Sequence, residues 1–120
     1  MKTLNKATQE KLTRLRKILN TFRMLDSDMT IGECISLIEI AKAMEDDGSG
    51  TTVTNLSNTC DFPLSSTSRY TIKLAGKGKN GTADSALISN NRTPTSDRTK
   101  ELRLTSRGSL VINQLADLME

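Results

Sequence analysis

The residues with most chemistry to offer stand in one short run, Ser65-Ser66-Thr67-Ser68-Arg69, with Lys73 one turn further on. Hydroxyls and a guanidinium at the start of a helix can hydrogen-bond to base edges and phosphates, and the free backbone N–H groups there favour an anion. Arg69 suits a guanine edge or a phosphate, and Lys73 a phosphate. The competing reading of Ser65 or Ser66 is a plain helix cap, and of Arg69 an ordinary solvated side chain. A second set of cations, Arg92, Arg98 and Lys100, lies around a polar stretch that also holds Asp97. Arginines so placed suit a narrow minor groove, with Asp97 orienting them. For Arg98 the rival reading is a surface ion pair with Asp97 or Glu101.

Other chemistries are excluded by inventory. The chain has no histidine, which removes histidine-based triads, histidine-containing zinc sites and the usual near-neutral proton shuttle. Two cysteines, Cys34 and Cys60, are too few for a four-cysteine metal site, and each is read as a small core residue. Glu45-Asp46-Asp47 lacks the spacing of a calcium loop. Gly76-Lys77-Gly78-Lys79-Asn80-Gly81 lacks the Gly-Lys-Ser/Thr ending of a P-loop. No catalytic activity, no metal and no cofactor are therefore expected.

The charge is unevenly spread. A net +3 over 120 residues conceals three blocks: residues 1–25 hold seven basic residues and one acid, residues 26–61 one basic residue and eight acids, and residues 62–109 nine basic residues and three acids. Such asymmetry points to a surface that faces a polyanion. No apolar run reaches the ~20 residues of a membrane helix. The start, Met1 to Lys6, lacks the apolar core of a secretory signal, so a cytoplasmic location is expected.

The elements that must position these groups follow from periodicity. Leu12, Leu15, Ile18, Leu19, Phe22 and Leu25 recur at helical spacing, with Lys11, Arg14, Arg16 and Lys17 around the rest of the cylinder. Asp26-Ser27-Asp28 breaks this helix. Thr30 then serves as N-cap, with Glu33 three residues on to complete a capping box. From Ile31 to Met44 apolar residues occupy more than one face, which predicts a widely buried central helix. Its end is expected at Glu45-Asp46-Asp47-Gly48-Ser49-Gly50. A short polar helix follows over 51–60, then a turn forced by Asp61-Phe62-Pro63. The next helix runs to about Leu74 or Ala75 and carries the hydroxyl-and-cation run on its outer face, as a helix-turn-helix requires. After a basic loop, Ala86-Leu87-Ile88 predicts a strand, Asn90 to Thr99 a polar tip, and Leu102 and Leu104 the return strand. Thr105 caps a last helix with apolar positions Leu110, Val111, Leu115, Leu118 and Met119.

Two segments resemble the multiple-antibiotic-resistance regulator (MarR) type of transcription factor. Residues 56–78, LSNTCDFPLSSTSRYTIKLAGKG, align without gaps to its helix-turn-helix pattern LAxxLxxSxSTVSRxVxxLxxxG. Residues 97–108, DRTKELRLTSRG, match its wing pattern DxRxxxLxLTxxG at Asp97, Leu102, Leu104, Thr105 and Gly108 with one pattern position left out beside Asp97, and Arg98 is adjacent to the aspartate. Cys60 falls where a core leucine is usual, Thr99, counted from Asp97, on the pattern's wing arginine, Thr67 on an aliphatic position and Ile72 on a polar one. The resemblance spans about residues 30–119 and is that of a divergent member.

It implies a mainly α fold with a small β-hairpin wing, a winged helix-turn-helix in one domain over 1–120. Residues 51–76 would be the helix-turn-helix, 85–105 the wing, and 1–25 and 106–120 the dimerisation helices. The implied function is sequence-specific binding of double-stranded DNA by a homodimer that regulates transcription. Its DNA-binding set would be Ser65, Ser66, Thr67, Ser68, Arg69, Lys73, Arg92, Arg98 and Lys100. A small-molecule effector is left open. The alternative is a winged-helix module that binds a protein through the acidic segment 26–61 or the basic loop.

Overall fold

Asn5 opens the first helix, its Oδ1 accepting the Thr8 N–H at 2.8 Å. The computed structural model describes residues 4–44, 50–77, 85–90, 92–93 and 96–120; the side chains of 92–93 and 96–100 are outside that description. Chain order is α1 (Lys6–Leu25), α2 (Ile31–Ala43), α3 (Val53–Cys60), α4 (Leu64–Leu74), β1 (Ile88–Ser89), β2 (Arg92–Thr93), β3 (Ser96–Lys100), β4 (Arg103–Leu104) and α5 (Ser106–Leu118). The expected acidic end of the second helix, Glu45 to Ser49, and most of the basic loop, Gly78 to Asp84, lie outside the described residues. No helix of the described residues is long and apolar enough to cross a membrane.

In α1 the apolar stripe divides in two. Phe22 is buried, with Ile18 and Leu25 packed beside it, whereas Leu12, Leu15 and Leu19 stay about half exposed. A helix of this length spans ~30 Å, and the molecule measures 57 × 29 × 27 Å. The N-terminal part of α1 thus stands away from the core.

Thr30 caps α2 as expected, its Oγ1 accepting the Glu33 N–H at 3.2 Å. The reciprocal half of the capping box is not observed. The Glu33 carboxylate turns instead toward α4. Burial of α2 is also narrower than expected: Glu33, Ser36, Leu37 and Ile40 face inward, while Ile31, Ile35 and Ile38 line the opposite, exposed side. The reason is geometric, since α3, α4 and α5 all pack on the inward flank.

The third helix begins at Val53, two residues later than expected. Thr51 is taken up by pairing with Leu102, N–H to carbonyl in both directions at 3.2 and 2.7 Å, which adds a third chain segment to the wing. Thr52 is the cap, accepting from Asn55 N–H at 3.2 Å.

In the wing, Ile88 stands opposite Leu104 and Ser89 opposite Arg103. Further out, Arg92 pairs with Lys100 and Thr93 with Ser96, with an irregularity between the two. The segment expected as an open polar tip is therefore partly paired strand. Leu87 and Ile88 are buried as the predicted strand requires, though the paired residues are Ile88 and Ser89. Thr105 caps α5, accepting from Gly108 N–H at 3.0 Å and donating its own hydroxyl to the Ala86 carbonyl at 2.8 Å. One core joins these parts: Phe22, Leu37, Ile40, Leu56, Leu74, Leu87, Ile88, Leu102, Val111 and Leu115.

Candidate nucleic-acid interface

The turn into α4 is built from backbone and one serine. Asp61 closes α3 in the left-handed region at φ 57°, which aspartate tolerates better than most residues. Ser57 Oγ donates to the Phe62 carbonyl at 2.7 Å, and Phe62 N–H donates to the Ser57 carbonyl at 3.1 Å. Pro63 then takes the cap position, with no side-chain cap hydrogen bond. Neither Ser65 nor Ser66 caps the helix, so that competing reading falls, and both serines stand inside the first turn.

Thr67, Thr71 and Leu74 form the buried side of α4. Thr67 is wholly buried, and its hydroxyl donates to the Pro63 carbonyl at 3.1 Å. Its place in a DNA-facing set is corrected accordingly, because the side chain is spent on the helix's own packing. Tyr70 lies against α2 so closely that a Cβ on Gly32 would stand 2.5 Å from its Cζ. The ring also meets Phe62 edge to face, centroids 5.7 Å apart. These contacts seat α4 on α2.

What remains on the outer side is Ser65, Arg69 and Ile72, all exposed, flanked by the half-buried Ser66 and Ser68. Arg69 is exposed and makes no hydrogen bond or ion pair among the described residues. Ile72 is 42% exposed in the middle of this cationic and polar face. An apolar group there fits the methyl of a thymine, a contact that the candidate set drawn from the sequence omits.

Lys73 is placed otherwise than expected. Its Nζ lies 3.3 Å from Asp26 Oδ2 and 3.3 Å from Glu33 Oε2, and donates to the Asp28 carbonyl at 3.1 Å. The approach to Glu33 is an ion pair rather than an aligned hydrogen bond. Burial works to lower the Lys73 pKa, but the charge of Glu33 and the contacts to Glu33 and Asp26 outweigh it and raise the value above the ordinary one. Phosphate contact by Lys73 is corrected to an intramolecular ion pair.

The wing root is tied to the end of α4. Leu87 N–H donates to the Leu74 carbonyl at 2.8 Å, and Lys77 Nζ to Asn90 Oδ1 at 2.8 Å. Glu101 Oε1 accepts from Gly50 N–H at 2.5 Å and from Arg103 Nε at 2.7 Å, fixing the return strand. Arg92 falls on β2, and Arg98 and Lys100 on β3; their side chains lie outside the described residues.

Cys34 and Cys60 are both half-buried against the core. Burial raises both thiol pKa values, helped at Cys34 by the charge of Glu33 and at Cys60 by that of Glu39.

No protein-family model matches the sequence, and no curated protein matches it. Solved structures do. The chain resembles RV1404 from Mycobacterium tuberculosis at 21% identity and TM-score 0.61, over 99% of this chain and 75% of that one. It also resembles BpsR from Bordetella bronchiseptica, whose structure concerns regulation of DNA binding by 6-hydroxynicotinic acid, at 13% identity and TM-score 0.54, over 95% of this chain and 78% of that one. Helix order, wing pairing and these two likenesses agree: the chain has a mainly α winged helix-turn-helix fold.

Proposed function

We propose that the protein is a transcriptional regulator that binds double-stranded DNA in a sequence-dependent way. The observation that carries this reading is the outer face of α4. An exposed arginine, three outward or flanking serines and an exposed isoleucine form a surface suited to base edges, on the second helix of a helix-turn-helix. The helix would lie in the major groove, and the wing, with Arg92, Arg98 and Lys100, beside the adjacent minor groove. The likeness to BpsR, a protein whose DNA binding is regulated, supports the same reading.

We further propose a homodimer. Leu12, Leu15 and Leu19 on α1, with Leu110 on α5 and Met119 at its C-terminal cap, are exposed apolar residues of the two terminal helices. Packing of these helices between two copies would bury them and set two α4 helices on neighbouring half-sites. Action in the cytoplasm, without catalysis or cofactor, completes the proposal. Selection of duplexes from a random pool by the purified protein tests it: a preferred sequence and a steep salt dependence are expected.

A second reading draws on a different observation. Ile31, Ile35 and Ile38 leave an apolar stripe on the outer side of α2, as a winged-helix module that binds a protein would. Duplex binding with no sequence preference would favour it.

A further inference from the structure

Near its C-terminal end, α4 meets the corner between α1 and α2 through a single long side chain. The Lys73 ammonium donates to the Asp28 carbonyl at 3.1 Å and lies 3.3 Å from each of two carboxylate oxygens, Asp26 Oδ2 and Glu33 Oε2. The Glu33 side chain is only 5% exposed. A carboxylate so deeply buried requires a counter-charge, and removing it strands the acid in a low dielectric. Lys73 is the cation that meets this need among the described residues.

The consequence reaches Arg69. Lys73 and Arg69 are four residues apart on α4 and therefore neighbours on its surface. A helix held at Lys73 cannot roll about its axis without breaking the contacts to Asp26 and Glu33. The roll angle is what decides whether Arg69, Ser65 and Ile72 point outward together. We propose that Lys73 is a positioning residue, a tether that, with the buried Thr67, Thr71 and Leu74 and the Tyr70–Gly32 contact, holds the roll of α4 on α2 and so presents Arg69 to DNA. The proposal rests on the DNA-binding reading for its purpose, but the tether itself can be measured without DNA.

The informative variant is Glu33→Gln, with Asp26→Asn as a second in case the buried site disturbs folding. Both take away negative charge, so simple electrostatics predicts tighter binding to a polyanion, as does release of Lys73 toward a phosphate. The tether predicts the reverse. The full chain is compared with Glu33→Gln, Asp26→Asn and Lys73→Met by amide hydrogen exchange without DNA, and by binding to the selected duplex at two salt concentrations. Faster exchange in α4 with α5 unchanged is expected in Glu33→Gln and Lys73→Met. Duplex affinity should fall by about threefold to tenfold, with the wild-type salt slope kept. Unchanged α4 exchange with equal or tighter binding in both acid variants would overturn the proposal. So would a salt slope reduced by about one phosphate contact in Lys73→Met. Faster α4 exchange in a protein that binds no duplex would support the tether and overturn the DNA-binding reading alone.

Discussion

A Cβ on Gly108 would stand 2.0 Å from the carbonyl oxygen of Leu87. The first turn of α5 thus lies directly on the root of the wing, and only a residue without a side chain permits the approach. The same Leu87 carbonyl accepts the Thr105 N–H at 3.0 Å, so the cap of α5 and the base of β1 are one unit. Gly108→Ala would ordinarily gain up to ~1 kcal/mol of helix propensity. Here the clash is with backbone, and a net loss of ~1–3 kcal/mol is expected. Urea denaturation reads it, and a neutral or stabilised variant would contradict the packing.

The exposed leucines of α1 make a separate prediction. Replacing Leu12, Leu15 and Leu19 together by Gln should leave the helical circular-dichroism signal intact, because none of the three belongs to the core of one chain. Sedimentation should shift from dimer to monomer at tens of micromolar. A wild-type chain already monomeric at that concentration would remove the homodimer.

Cys34 and Cys60 should behave as packing residues. Burial raises both thiols above their ordinary value of 9.0, so alkylation at neutral pH should be slower than for a free thiol. A pKa raised in the folded chain means that the unfolded chain loses its proton first. Stability from this source is whole below pH 9.0 and is lost as pH climbs above it. Thermal unfolding of wild type and of Cys34→Ala/Cys60→Ala from neutral to alkaline pH should show a shallower alkaline decline in the variant. Its neutral-pH stability should fall by ~1–3 kcal/mol. Loss of DNA binding on mild oxidation of the wild type, absent in the variant, would instead reveal a redox switch.

What the sequence makes legible is mostly local. Thr30 and Thr105 are recognisable caps because the N–H they accept from lies three residues away. Asp61-Phe62-Pro63 is a recognisable turn for the same reason. Distant partners decide the rest. Thr67 carries a hydroxyl in a polar run, yet its position around α4 puts it against the interior. Lys73 reads as a phosphate ligand until Asp26 and Glu33, some forty residues earlier, are brought beside it. Thr51 is a weak helix former by type, and only the approach of Leu102 draws it into a single antiparallel bridge. Ile31, Ile35 and Ile38 suggest a buried helix, but a sequence does not say on which flank its neighbours pack.

The direct test of the interface is the loss of Arg69. Binding isotherms are measured for Arg69→Ala, Arg98→Ala, Lys100→Ala and Lys11→Ala, against the selected duplex and a scrambled one, at two salt concentrations. If Arg69 reads a base edge, its removal should cost ~1–3 kcal/mol on the selected duplex, little on the scrambled one, and relax sequence choice at one position in each half-site. Arg98→Ala and Lys100→Ala should weaken both duplexes alike and flatten the salt slope. Equal, small effects of Arg69→Ala and of the distant Lys11→Ala on both duplexes would contradict the assignment of α4 as the recognition helix.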